Sequence, residues 1–438
     1  MIPLKVFLLL AYAFLTFPFS KSARIIITSL LNKHSYRLDN HTKKSWKSPG
    51  RYLRHAMHFI INKKPSKHQV FSKNQNVAIF DGKENSLVDR FEYLRRLDTP
   101  SPGIGISRES LYISGFSNKF ISLILLTVLS LWIIPSSVFT KNRKGSISLI
   151  LLEFAEWIAL LNILKSNKCN YLYHFCSYEK DAPFIGWLNK HLGIIDHKIP
   201  SSNPLSNFYK YTFCDKLAIT TPFQKPEFEF LSKNWRVKEF TYWPIENFHK
   251  LIPFLNNGGS STPQKYNLGF LSSGIWLRQK LGHSPLGVGD QESEIELVGF
   301  LKEFLAERPE ISFIILLHPI EKKTYEEACH YYRALFNNVT IHFGEQNKNS
   351  FEYFDSIDTA IAAYSSTNLQ RLFCGYKTLY APLKFKYKIY DGSSIQNIAP
   401  TNKKRLFDIL EEVLNISDED FFNTFDLWDY HHSNYNFY

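Results

Sequence analysis

Between residues 266 and 380 the sequence alternates short, continuously apolar runs with longer amphipathic ones, and that rhythm restricts the fold more than any other feature. Apolar strands are predicted at 266–271 (YNLGFL), 311–317 (ISFIILL), 338–343, 357–363 (IDTAIAA) and 376–380. Helices are predicted at 292–307, 321–335 and 367–374, with a helical turn at 349–354. Strands without polar alternation are buried on both faces, and a helix between successive strands makes them parallel. Residues 266–415 therefore read as a Rossmann-like domain. Upstream, VAIF (77–80), NYLYHFC (170–176), KLAITT (216–221) and EFTYWP (239–244) read as strands, with a helix at 183–193, so 76–254 reads as a second such domain. The Gly-, Ser- and Asn-rich stretch 255–265 reads as the linker, and 416–438 as an aromatic tail. The expected fold class is α/β, two Rossmann-like domains facing a cleft.

The net charge of +12 is confined to one block. Residues 1–75 hold 14 Lys and Arg against the single acid Asp39, while the other 363 residues sum to −1. A nucleic-acid binder carries its excess on the folded domain, so nucleic acid is not an expected partner. The block opens with the uncharged segment 6–19 (VFLLLAYAFLTFPF), short for a membrane span and followed by FPFSKSAR, a poor cleavage site. A basic run behind a short apolar segment predicts association with an anionic membrane surface, on the cytoplasmic face, as a peripheral protein or with a single N-terminal anchor. Segment 120–134 (FISLILLTVLSLWII) is expected as a buried or membrane-dipping helix, and 146–164 as a helix packed in the core or at the interface despite Glu153 and Glu156. Five scattered cysteines without a CxxC pair exclude a disulfide framework and suit a reducing compartment.

In open α/β sheets ligands bind beyond the carboxyl ends of the strands. After strand 266–271 stand Ser272-Ser273-Gly274, with Arg278 near; after 311–317, His318-Pro319; after 338–343, Gly344-Glu345; after 357–363, Tyr364-Ser365-Ser366-Thr367. Hydroxyls at a helix start can hold an anion together with free backbone N–H groups, although the same residues serve as plain N-caps. Pro319 holds the imidazole of His318 at the strand tip and is expected to start the next helix.

His318-Pro319 followed by Ser365-Ser366-Thr367 resembles the donor-binding domain of bacterial GT-B glycosyltransferases. The likeness is to sialyltransferases and polysialyltransferases that use CMP-activated sugars, to capsule enzymes transferring Kdo, and to the CDP-glycerol or CDP-ribitol polymerases of teichoic acid synthesis. It covers about 266–415. The resemblance implies that His318, in the His318-Pro319 dipeptide, contacts the donor phosphate and helps the leaving group, while Ser365, Ser366 and Thr367 hold the phosphate; Ser272, Ser273, Gly274 and Arg278 are placed in the donor site by their strand-end position and fit the first loop of such a domain. It implies a nucleotide-sugar, CMP-linked, as substrate, a glycan or glycolipid as acceptor, and no cofactor. In such families an N-domain carboxylate, often in an Asp/Glu-Asp/Glu-Gly motif, deprotonates the acceptor. This chain lacks that tripeptide at the expected place; Glu179 and Asp181, after strand 170–176, are the nearest candidates, with Asp81 a weaker one. No HExxH, DxD after a strand or carboxylate cluster predicts a metal. A CDP-polyol phosphotransferase would share the same phosphate site, and a catalytically silent membrane-associated scaffold would keep the fold without the base.

Overall fold

A computed structural model of the chain describes residues 2–16, 69–72, 76–111, 118–127, 144–176, 186–200, 214–219, 237–243, 248–256, 264–281, 290–384 and 393–434, apart from isolated positions within them. The chain divides into two compact units, Met1–Ile219 with Glu227–Trp243, and Thr220–Pro226 with Pro244–Tyr438.

The first unit contains α1 (Ile2–Leu15), β1 (Gln69–Val70), β2 (Val77–Asp81), α2 (Leu87–Arg95), β3 (Ile104–Ser107), α3 (Lys144–Ser166), β4 (Tyr171–Cys176), β5 (Ile195–Pro200), β6 (Cys214–Ile219) and β7 (Val237–Tyr242). They form a seven-stranded sheet in the order β1-β3-β2-β4-β5-β6-β7. Only the short β1 runs antiparallel, to β3; the other pairs are parallel. Ala78, Ile79, Ile106, Leu172, Tyr173 and Leu217 are completely buried, as continuous apolar strands require.

β5 is absent from the sequence reading, because IDHKIP has charged residues in its interior. Asp196, His197 and Lys198 are nonetheless buried there. Cross-strand partners make this tolerable: Asp196 N–H donates to Asp215 Oδ2 at 3.2 Å, and His197 meets Tyr171 Oη and Thr241 Oγ1, both at 2.9 Å. Burial holds His197 neutral, its pKa lowered to about 3. The helix expected at 146–164 is α3, which buries Ala155, Ile158, Ala159, Leu160 and Leu164. Each fully buried Leu or Ile contributes about 1.5–3 kcal/mol, enough to carry one charged group inward when that group is paired. Glu156 is that group, bonded to Arg108.

The segment expected as a marginal anchor folds as α1, lies against α3, and leaves Leu4, Leu8 and Tyr12 exposed along one face. Residues 118–125 are helical, with Phe120, Leu123 and Ile124 exposed and Ser122 and Leu125 buried; most of the remaining segment to 134 lies outside the described residues. Among the described residues, no helix is long and apolar enough to cross a membrane.

The second unit contains β8 (Tyr266–Leu271), α4 (Ile275–Lys280), α5 (Asp290–Ala306), β9 (Phe313–Leu316), α6 (Tyr325–Leu335), β10 (Ile341–Phe343), β11 (Ile357–Ala362), α7 (Ser366–Phe373), β12 (Thr378–Tyr380), α8 (Lys403–Leu414) and α9 (Asp418–Phe425). Its five strands are all parallel, in the order β10-β9-β8-β11-β12. Local signals set the helix limits. Asn402 caps α8 by accepting Arg405 N–H, and Leu406, Ile409, Leu410 and Val413 then bury one stripe. Ser417 caps α9 in the same way.

Two boundaries differ from the sequence reading. The main run of the second unit begins at Pro244, ahead of the Gly-rich stretch 255–265. Asn256 shows why: its N–H donates to Cys374 O at 2.7 Å, and its side chain donates to Gly375 O and Asp418 Oδ2 at 3.2 and 2.8 Å. The aromatic tail, read from the sequence as a segment of its own, is built into the second unit through Asn434. His432 Nδ1 lies 3.1 Å from Phe373 O at the end of α7.

Candidate active site

The strand order puts the topological switch point of the second unit between β8 and β11: β9 and β10 continue from β8 on one side, and the chain then returns to place β11 on the other. Ligand crevices in open parallel sheets open there, beyond the carboxyl ends. Ser272–Gly274 follow β8, Ser365–Thr367 follow β11, and His318 follows β9 next to β8. These three of the four predicted loops thus lie at one end of three neighbouring strands. β9 and β11 are two strand spacings apart, roughly 10 Å.

The loop after β8 does something other than expected. Its polar groups are consumed inside the protein. Ser273 N–H and Ile275 N–H donate to the two carboxylate oxygens of Glu294 at 2.8 and 3.2 Å. Gly274 N–H donates to Ser272 Oγ at 2.9 Å, and Ser272 Oγ also meets Tyr332 Oη at 2.7 Å. Gly274 has φ +68°, and a Cβ there would stand 2.8 Å from Ile320 Cγ2 and 3.4 Å from His318 Cβ. Glycine is required on both counts. Ser272, Ser273 and Gly274 therefore lock the loop onto the His318 turn and leave Arg278 as its outward group.

Arg278 is held by its Nε donating to Ser273 O at 3.2 Å, and its Nη2 lies 3.5 Å from His318 Nε2. His318 Nδ1 accepts the Ile320 N–H at 3.1 Å. A ring whose Nδ1 accepts carries its neutral-state proton on Nε2. Burial, aided by the Arg278 charge, lowers the His318 pKa to about 4, so the ring is neutral at pH 7. The result is two N–H donors side by side, one cationic, beyond the carboxyl ends of β8 and β9. An anion is the ligand that satisfies both.

Pro319 is exposed, and the helical turn starts at Glu321 (Glu321–Thr324) rather than at the proline. Ser365 is the N-cap of α7, its Oγ accepting Thr367 N–H at 3.2 Å; Ser366 is exposed. Asp181 and Glu179 lie outside the described residues. Asp81 is bound to Arg90 at 2.8 Å in a buried pair, which accounts for its place at the tip of β2. No group of His, Cys, Asp or Glu able to hold a metal ion occurs among the described residues.

Two carboxylates at the site escaped the sequence reading. Glu294 is buried; burial pushes its pKa up to about 7 against the Ser273 hydrogen bond, with Glu321 adding to the rise. Glu321 is completely buried and likewise raised by burial, against its hydrogen bonds to Ser272, His318, Trp276 and Tyr332. A signal existed: Glu294 falls on the stripe of Leu297, Val298 and Leu301, and Glu321 on that of Ala328 and Tyr332, at helical spacing.

No protein-family model matches this chain, and no curated protein matches it. Solved structures that match include UDP-GlcNAc 2-epimerase from Neisseria meningitidis bound to UDP-GlcNAc, at 11% identity over 82% of this chain and 96% of that one, with a TM-score of 0.43. An O-GlcNAc transferase mutant from Thermobaculum terrenum matches at 8% identity over 88% and 71%, with a TM-score of 0.41. MurG from Acinetobacter baumannii matches at 11% identity over 80% and 98%, with a TM-score of 0.38. These likenesses assign the chain no activity.

Proposed function

We propose that the chain is a glycosyltransferase that moves a sugar from a nucleotide donor, CMP-linked as in activated sialic acid or Kdo, to a cell-surface glycan or lipid-linked acceptor. The observation that carries this reading is the paired donor set of His318 Nε2 and Arg278 Nη2 beyond the carboxyl ends of β8 and β9, next to the switch point of the second unit. Breaking the bond from the sugar to its nucleotide leaves negative charge on a phosphate oxygen. A neutral imidazole N–H and a guanidinium fixed beside it stabilise that charge as it forms. On the far side of β8, the N-terminus of α7 with Ser366 and Thr367 would take the rest of the phosphate-bearing ligand. Asp181 or Glu179 would accept the proton of the acceptor hydroxyl.

Thermal melting of the full chain with CMP, CDP, UDP and GDP, each with and without EDTA, tests the reading. CMP at about 100 Kd should stabilise the fold by about 2.7 kcal/mol, and EDTA should not change that. Stabilisation by none of the four would refute it. A preference for CDP would point instead to a polyol-phosphate transferase. A response abolished by EDTA and restored by magnesium would refute the metal-free phosphate site.

Membrane attachment belongs to the same proposal. It is supported by the exposed face of Leu4, Leu8 and Tyr12 and by the 14 basic residues of the first 75. Removing residues 1–75 should abolish sedimentation with phosphatidylserine vesicles at physiological salt; equal sedimentation of both proteins would remove the idea.

A further inference from the structure

Among the described residues, the hydrogen bonds to Glu321 come from neutral groups. Its Oε2 accepts the backbone N–H of His318 at 2.8 Å. Its Oε1 accepts Trp276 Nε1–H at 2.5 Å and Tyr332 Oη–H at 3.1 Å. Those donors come from three elements: the His318 turn after β9, helix α4, which also bears Arg278, and helix α6. Burying a carboxylate without a countercharge is costly unless several donors surround it, and here the surrounding donors are the parts of the site. A glutamine could not replace it. Two acceptor oxygens are needed, and the amide NH2 would face a donor whichever way it turned.

The neighbouring geometry points the same way. The chain from His318 to Lys322 closes on itself, Glu321 N–H and Lys322 N–H donating to His318 O at 2.8 and 3.1 Å. This closed turn presents the Ile320 N–H to His318 Nδ1 and so selects the tautomer. Glu294, the other buried carboxylate, fixes the opposite lip through Ser273 and Ile275.

We infer that Glu321 is the positioning residue of this site, the group that keeps the His318 N–H beside the Arg278 guanidinium. It touches neither ligand nor reacting atom; it acts through His318 and α4. The inference deepens the proposed donor site, and His318 itself supplies a readout that needs no ligand.

The experiment is nitrogen NMR on the full chain labelled at histidine, with His318 assigned by its loss in His318→Gln. In the wild type the ring should be neutral at pH 7, with its proton on Nε2, and should titrate near 4. In Glu321→Gln the turn loosens, mixed tautomers should appear, and the titration should rise by about one unit or more toward the ordinary histidine value. The sign separates positioning from charge. Removing a neighbouring anion alone lowers a histidine pKa, whereas release to water raises it.

A folded Glu321→Gln with the His318 tautomer unchanged and its titration unchanged or lowered would overturn the inference. Should that variant fail to fold, Trp276→Phe and Tyr332→Phe each remove one donor and should move His318 in the same direction. No movement in either variant would overturn the inference as well. If the wild type binds none of the four nucleotides while His318 still responds to Glu321→Gln, the transferase reading falls and the positioning role stands.

Discussion

Replacing His318 by alanine should lower kcat by about 100- to 1000-fold while leaving the melting temperature unchanged. The fold contributes little resistance to this change, because the imidazole lies at a strand tip and, among the described residues, accepts a hydrogen bond from its own turn and neighbours Arg278. The expected size follows from removing one preorganised donor aimed at developing charge, about 2.7–4 kcal/mol of transition-state stabilisation. If His318 acts as proposed, the loss belongs in kcat, since its Nε2–H interaction would strengthen as charge moves onto the phosphate and be weaker in the bound ground state. Under the proposed donor site, the Arg278 guanidinium would hold donor both before and after bond breaking, so its truncation should raise KM more. The measurement is steady-state transfer by His318→Ala, using whichever nucleotide-sugar corresponds to the nucleotide that stabilises the wild type. Activity within about threefold of wild type, in a variant with unchanged melting, would reduce the histidine to a residue of the rim.

The largest effect on stability is expected at Arg371. It is completely buried in α7, and its guanidinium donates to the backbone carbonyls of Lys377, Phe354, Ile357 and Asp358. It lies over the rings of Tyr376 and Phe354, 4.8 and 5.5 Å from their centroids. Burial lowers its pKa to about 10, opposed by Asp418, Tyr376 and Asp358, so it stays cationic at neutral pH. Lys377, beside it, binds Asp358 at 2.9 Å and the carbonyls of Val413 and Ile416 at 2.9 and 2.6 Å.

Arg371→Met matches the side chain only as far as Nε and removes every donor, taking a partner from the carbonyls of Phe354, Ile357, Asp358 and Lys377, the last of which keeps the Ala360 N–H. Each unsatisfied buried group costs about 1–3 kcal/mol, and partial relaxation brings the expected total to about 3–5 kcal/mol. Urea unfolding of the variant should show a midpoint lowered to match, with an unchanged slope. A loss below about 1 kcal/mol would mean that water or a shift of β11 replaces the guanidinium.

The elements around the site differ in how far the chain announces them. β8 was legible to the residue, and β11 to within one, because a continuous apolar run between turn residues has few other uses in a soluble α/β chain. β3 and β5 were not. Ile104–Ser107 is short and contains a glycine, and Ile195–Pro200 is half polar. A strand of that composition is stable only because β4, β6 and β7 bring Tyr171, Asp215 and Thr241 to its charged and imidazole groups.

The chain by itself determined the alternation of strands and helices in the second unit, and with it the carboxyl-end positions of His318, Arg278 and Ser365–Thr367. These depend on hydrophobic period and turn chemistry, which are local properties of a dozen residues. Only the tertiary structure decided which of those groups face outward. The N–H groups of Ser273 and Ile275, at the strand end where the sequence places part of the donor site, are taken by Glu294, about twenty residues away in sequence. His318 is oriented through Glu321, whose other partners, Trp276 and Tyr332, lie 45 and 11 residues distant. A hydrogen bond between elements depends on how helices and strands stack, and no periodicity along the chain records which donor will stand within 3 Å of a given carboxylate once the sheet has closed.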